Sequence, residues 1–176
     1  MDPDGNLLPT GGYGEIVIRG DLLMTGYWSQ PDKTAETIID GWLHTGVLGS
    51  FDEEGFLFIK GRAKDLIITG GFNVYPVDVE PVIAAHAAVA DCAVFGVPDD
   101  KWGEAVHAAV ELRDGASADP AEIVAFVKER LGPVKTPKSV KIYERLPRNA
   151  YGKLQKQALV EDHLARAAAE TEGHAI

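Results

Sequence analysis

The twenty residues from Gly61 to Glu80, GRAKDLIITGGFNVYPVDVE, constrain the fold of this chain more than any other stretch. Three charged side chains, Arg62, Lys64 and Asp65, precede a short apolar run, Leu66 to Ile68. Gly70 and Gly71 follow it, and Pro76 opens the next segment. An apolar run bounded by charge and glycine reads as a short strand. Adjacent glycines free the backbone and remove side chains that would hold a ligand away. Proline at an early helical position loses no amide bond, so a helix begins here. Pro81 is tolerable only within the first turn, which puts the helix start near Val77 and its end near His86. Charge, strand, glycine pair and helix start in so short a span describe a joint that passes close to a ligand.

With 45% hydrophobic and 25% charged residues, the 176-residue chain can bury a globular core. No apolar run approaches the roughly 20 residues of a membrane span. The start, Met1-Asp-Pro-Asp-Gly5, is acidic and turn-like, unlike a signal peptide. Cys92 stands alone in an apolar run, which excludes an internal disulfide and suits a buried residue of a cytoplasmic protein. A net charge of -10 argues against nonspecific nucleic-acid binding. Yet nine lysines and arginines face only two glutamates between Lys128 and Lys156, a local +7. That segment is either a solvated basic face or a surface that meets an anionic ligand.

Up to about residue 60 the chain reads as turns and short strands. Glu15–Arg19 alternates in polarity, Pro31–Ile39 suits a short helix, and Asp52–Gly55 turns into the strand Phe56–Ile59. So few strands leave exposed edges, little core and a tendency to self-associate. After the glycine pair the pattern is α+β, a small three-stranded sheet with flanking helices. Its strands are Asp91–Val97, Glu104–Leu112 and Val140–Tyr143. Asp119 caps a helix opened by Pro120, and Gly132-Pro133 stops it. Leu154–Ala169 is helical by composition. The expected organisation is a β-rich segment 1–60, a joint 61–65, an α+β unit 66–165 and a frayed tail 166–176.

Lys153 sits in Leu146-Pro-Arg-Asn-Ala-Tyr-Gly-Lys153, a loop bounded by proline and glycine. Most loop lysines are plain surface residues, but one at such a tip can be set against an anion. The five histidines, at 44, 86, 107, 163 and 174, show no metal-ligand spacing, so no metal site is read. No nucleophile elbow or phosphate loop of the Gly-Lys-Ser/Thr type occurs.

Five motifs occur in the order known for the adenylate-forming enzymes. They are Gly14–Gly20 (GEIVIRG), Gly26-Tyr27-Trp28, Thr45-Gly-Val-Leu-Gly49, the Gly61–Glu80 run and the Gly152-Lys153 loop. The chain resembles the C-terminal portion of an AMP-forming acyl-CoA synthetase over about residues 12 to 160. The resemblance implies activation of a carboxylic, by its wording fatty, acid with ATP to an acyl-adenylate, then transfer to CoA. It implies catalysis of adenylation by Lys153, ribose contact by Arg62, and a pivot at Lys64 and Asp65. Gly70 and Gly71 would line the CoA tunnel, with Trp102 as a channel wall. Residues 1–60 would be a barrel remnant of a large N-terminal domain, and 66–165 a mobile lid. ATP or AMP and CoA would be the ligands, with Mg bound by that missing N-terminal domain, and this segment alone would be inactive. Val47 departs from the motif, because an aspartate that accepts from both ribose hydroxyls belongs there. Either this copy is impaired, the position was changed, or another group compensates. Rival readings are an acyl-AMP ligase that delivers to a carrier protein, and a non-catalytic binding or assembly module.

Overall fold

The computed structural model describes residues 1–173, without the side chains of 170–173. It divides into two compact units, Met1–Lys64 and Asp65 onward, so the division falls inside the expected joint at 61–65.

The first unit is built on one long strand. β1 (Gly14–Ile18) is followed by α1 (Pro31–Thr37), β2 (Ile38–Ile39), β3 (Trp42–Phe51) and β4 (Leu57–Arg62). β3 pairs antiparallel with β1, β2 and β4. Asp52 makes the β3–β4 turn by accepting from the amides of Glu54 and Phe56 at 3.0 and 2.8 Å. Among its described residues only Gly49 and Ser50 are buried. Phe58 and Ile59 on β4 are 53% and 62% exposed, so apolar strand residues stand without cover.

The second unit holds the core. Its elements are β5 (Ile67–Thr69), β6 (Phe72–Val74), α2 (Pro76–Ala84), β7 (Val89–Asp99), β8 (Gly103–Leu112), α3 (Pro120–Lys135), β9 (Ser139–Tyr143) and α4 (Lys156–Gly173). The sheet order is β6-β5-β8-β7, with β9 parallel to β8. The three expected strands form its body. The glycine pair adds two more by folding Ile67–Val74 into a hairpin whose Thr69 pairs with Gly103. Side chains alternate to both sides of the sheet. Val94, Val106 and Val110 join Val79, Ile83, Ile123 and Val127 of α2 and α3. Ala93, Phe95, Ala105 and Ala109 join Leu146 and Leu159 of α4 on the other face.

Helix ends follow local chemistry. Asp119 accepts from Ala121 N at 2.8 Å, and Glu122 accepts from Asp119 N at 3.1 Å, closing a capping box on α3. Gly132, at φ 73°, breaks that helix. α2 starts at Pro76 rather than Val77, and Pro81 lies past the first turn. It is tolerated because Pro81 and Val77, whose carbonyl it cannot serve, both face solvent. α4 continues to Gly173, beyond the expected start of a frayed tail at 166, and residues 174–176 lie outside the described residues. Among the described residues no helix is long and apolar enough to cross a membrane.

His107 of β8 is buried between layers. Its Nδ1 lies 2.7 Å from the Ser139 hydroxyl, and its ring is 4.1 Å from that of His163 on α4. Burial, then the charge of His163, lower its pKa from 6.5 to about 4, while Asp99 opposes the shift. The fold therefore favours neutral His107, and unfolding takes up a proton between those two values. The stability is fully present above pH 6.5 and is lost as pH falls towards 4. Thermal unfolding should show the melting temperature dropping across that window, with a shallower drop in His107→Gln. Parallel curves for the two proteins would exclude this source.

Candidate functional site

The Lys153 loop is a small hairpin on the α4 side of the sheet. Arg148 and Leu154 bridge its base. Gly152 N donates to Asn149 O at 2.9 Å, and Gly152 takes φ 78°, which turns the chain at its tip. Asn149 Oδ1 accepts from the amides of Tyr151 and Lys153 at 3.0 and 2.9 Å. Lys153 is exposed, and its ammonium has no hydrogen-bond partner or ion pair among the described residues. Asp91 near the start of β7 receives Arg148 from this hairpin.

The opposite end of β7 carries a second cluster. Asp99 Oδ1 accepts from the amides of Lys101 and Trp102 at 2.9 Å each, shaping the β7–β8 turn. Gly70 N donates to Trp102 O at 2.8 Å. A Cβ on Gly70 would meet the Trp102 ring at 2.9 Å, whereas nothing lies within 4 Å of one on Gly71. Gly71 thus presents open backbone that a slender chain could follow, and Gly70 is the seat of the tryptophan. Lys101 and Lys138 place their ammonium groups 4.8 and 4.6 Å from the same ring. Glu104 ties the hairpin in place by accepting from Ile68 N at 2.7 Å. Asp91 and Asp99 are eight residues apart on one extended strand, so these clusters are separated by about 26 Å.

In the first unit Val47 and Arg62 are directly opposed across β3 and β4. Opposed residues of an antiparallel pair share a face with Cβ atoms about 5 Å apart, so both residues address one spot. Glu15, which the sequence did not single out, orders the approach to Val47. It accepts from Gly46 N at 2.7 Å and lies 2.7 Å from His44 Nδ1. Two depressions of about 610 and 400 Å³ in this unit are lined by neither Val47 nor Arg62. Lys64, exposed, and Asp65, half-buried, lie in the 3-10 turn Ala63–Asp65.

The basic segment is used for packing. Lys135 bonds Asp78 at 2.8 Å, Lys141 bonds Asp162 at 2.5 Å, and Lys156 bonds Glu80 at 2.7 Å. Arg145 faces Glu111 and Arg148 meets Asp91. Lys141, with bonds from Tyr143 and Arg166, holds the Asp162 carboxyl below the usual range, while burial and Asp162 push the Tyr143 phenol up to about 12. Burial also pushes the Cys92 thiol up to about 12, which favours the thiol over the thiolate. Among the described residues no three His, Cys, Asp or Glu side chains cluster to hold a metal.

The AMP-binding enzyme C-terminal domain family matches residues 78–153, from α2 to the tip lysine. The medium/long-chain-fatty-acid–CoA ligase FadD8 of Mycobacterium tuberculosis is 49% identical over 166 residues, 90% of this chain and 29% of that protein. By these matches the chain resembles the C-terminal portion of the adenylate-forming enzymes. A fatty acid–[acyl-carrier-protein] ligase, ScoC of Streptomyces coeruleorubidus, is 42% identical over 159 residues, 90% of this chain and 31% of that protein. Among solved structures, o-succinylbenzoate CoA synthetase of Bacillus subtilis, in complex with the acyl-adenylate OSB-AMP, superposes with a TM-score of 0.81 at 39% identity. The match covers 90% of this chain and 32% of that one. The chain spans about a third of the length of these relatives and corresponds to their C-terminal part.

Gly70 and Gly71 should respond unequally to alanine. Each sits at positive φ, +56° and +81°, which costs a side-chain-bearing residue about 1–2 kcal/mol. Only Gly70 adds the collision with Trp102. Denaturant unfolding should show Gly70→Ala losing more stability than Gly71→Ala, and equal losses would contradict the Trp102 seat.

Proposed function

We propose that the chain is the C-terminal part of an AMP-forming acyl-CoA ligase acting on a fatty acid, with the unit from Asp65 onward as its mobile lid. The observation that carries this reading is the separation of the Lys153 hairpin from the Gly71–Trp102 corner by the length of β7. Adenylation needs a cation against the α-phosphate and the attacking carboxylate. Thioester formation needs a passage for the CoA thiol instead. Two groups about 26 Å apart on one rigid strand cannot serve one reaction centre together, so the unit must turn between half-reactions. Lys64 and Asp65, at the boundary of the two compact units, are the residues about which it turns. Lys153 bridges carboxylate and phosphate, Arg62 contacts the ribose, and Gly70, Gly71 and Trp102 form the passage. ATP supplies the leaving pyrophosphate, and Mg would be bound by the part of the ligase not represented here. ATP and CoA as substrates make the cytoplasm the site of action.

In the full-length ligase, Lys153→Ala should slow adenylation by about 10²–10³-fold and leave conversion of supplied acyl-adenylate to thioester unchanged. Wild-type adenylation, or equal loss in both half-reactions, would refute the assignment.

Position 47 bears on nucleotide grip. Valine offers no acceptor beside Arg62, and bonds to a charged acceptor contribute about 1.5–3 kcal/mol each. Val47→Asp should therefore tighten nucleotide binding at least about tenfold by calorimetry. No gain would mean that the position is without consequence in this protein.

The similarity to ScoC supports a second reading, in which the acyl group passes to a carrier protein. The same supplied acyl-adenylate, offered CoA and a phosphopantetheinylated carrier protein in turn, separates the two readings.

A further inference from the structure

We infer that Arg148 and Asp91 are a positioning pair that aims Lys153, an inference that rests on the catalytic reading of that lysine. The hairpin keeps its shape by local bonds. Asn149 N donates to Lys153 O and Gly152 N to Asn149 O, both at 2.9 Å, and Gln155 N donates to Pro147 O at 2.8 Å. Asn149 Oδ1 adds its two bonds to the amides of Tyr151 and Lys153. All of these lie within the hairpin. They set the form of the tip; Leu154, packed against the Phe95–Leu159 cluster, seats its far strand, and the near strand is still to be tied to the sheet.

Bonds to the rest of the unit hold the two ends. Leu146 N donates to Glu111 at 3.0 Å, and Lys156 pairs with Glu80 at 2.7 Å. Arg148 joins the tip itself to the sheet. Its Nη1 donates to the carbonyl of Gly152, the residue before Lys153, at 2.8 Å. Its Nη2 donates to the Asp91 carboxylate on β7. One planar guanidinium thus fixes the angle between a catalytic-loop carbonyl and a core strand, which a lysine with its single point charge cannot do.

Stability does not account for this arrangement. Both side chains are 41% exposed, and ion pairs so exposed contribute little. Gly152, at φ 78°, is a permissive joint immediately before Lys153. Without Arg148 the Gly152 carbonyl loses its tie to β7, and the tip, with its local bonds intact, can tilt against the sheet and carry the ammonium with it. Displacement of a reacting group by about 1 Å can cost about 10²-fold in rate.

The test uses the full-length ligase with Arg148→Met and, separately, Asp91→Ala. Each should lower kcat for adenylation by about 10–10²-fold, with KM for ATP and acid unchanged. Thioester formation from supplied acyl-adenylate should stay at the wild-type rate, and the melting temperature should move by no more than about 4 °C. In a Lys153→Ala background neither change should cost anything more, because both act through the lysine. Wild-type adenylation in the two variants beside a slow Lys153→Ala enzyme would overturn the positioning role. So would losses that add to that of Lys153→Ala, or equal loss in both half-reactions. A Lys153→Ala enzyme with wild-type adenylation would instead overturn the reading of the lysine itself.

Discussion

The antiparallel ladder between β7 and β8 runs from Val89 opposite Leu112 to Asp99 opposite Gly103, and the rest of the second unit hangs on it. Because side chains alternate across a strand, one ladder feeds two apolar layers. Val94 and Val106 meet α2 and α3, while Ala93 and Phe95 meet α4. Covered on both faces, the ladder cannot bend much, and an extended strand has a fixed length per residue. The groups at its two ends, Arg148 on Asp91 and Trp102 on Asp99, are therefore held apart as by a ruler. A spacer with different chemistry at each end is the physical ground for the proposal that the unit reorients between two jobs.

Electrostatics serves the same end. The chain is acidic, yet the stretch from Lys128, within α3, to Lys156 is basic. Four of its nine cations pair with carboxylates of earlier elements: Asp78 and Glu80 of α2, Asp91 of β7, Glu111 of β8. Each bond stitches the late part of the unit to the early part. What looks along the chain like a charged face is largely a seam; of the cations outside it, Arg130 lies over Phe126, and two stand at groups that carry the proposed chemistry. Lys138 faces Trp102, and Lys153 stands at its hairpin tip.

The first unit contrasts with this. Its strands expose Phe58 and Ile59, and its described residues bury only a glycine and a serine. Sheet pairing alone organises it, with Glu15 fastening β3 to β1 beside Val47.

By itself the sequence determined what depends on neighbours along the chain. Asp119 before Pro120, Gly132 after a helix, the apolar runs of β7, β8 and β9, and the Gly152-Lys153 turn are local signals, and each is found where those residues stand. The order of motifs likewise carried the family, since wording survives in one dimension. Tertiary structure decided everything that joins distant residues. Nothing in the sequence pairs Arg148 with Asp91 across 57 residues, seats Trp102 on Gly70, or opposes Val47 to Arg62. It also decided that Pro81 is harmless beyond the first turn, because solvent serves the carbonyl it leaves unbonded. Local preference acts through a few backbone angles, whereas these pairings exist only once the two-faced ladder has folded and set the distance between its ends.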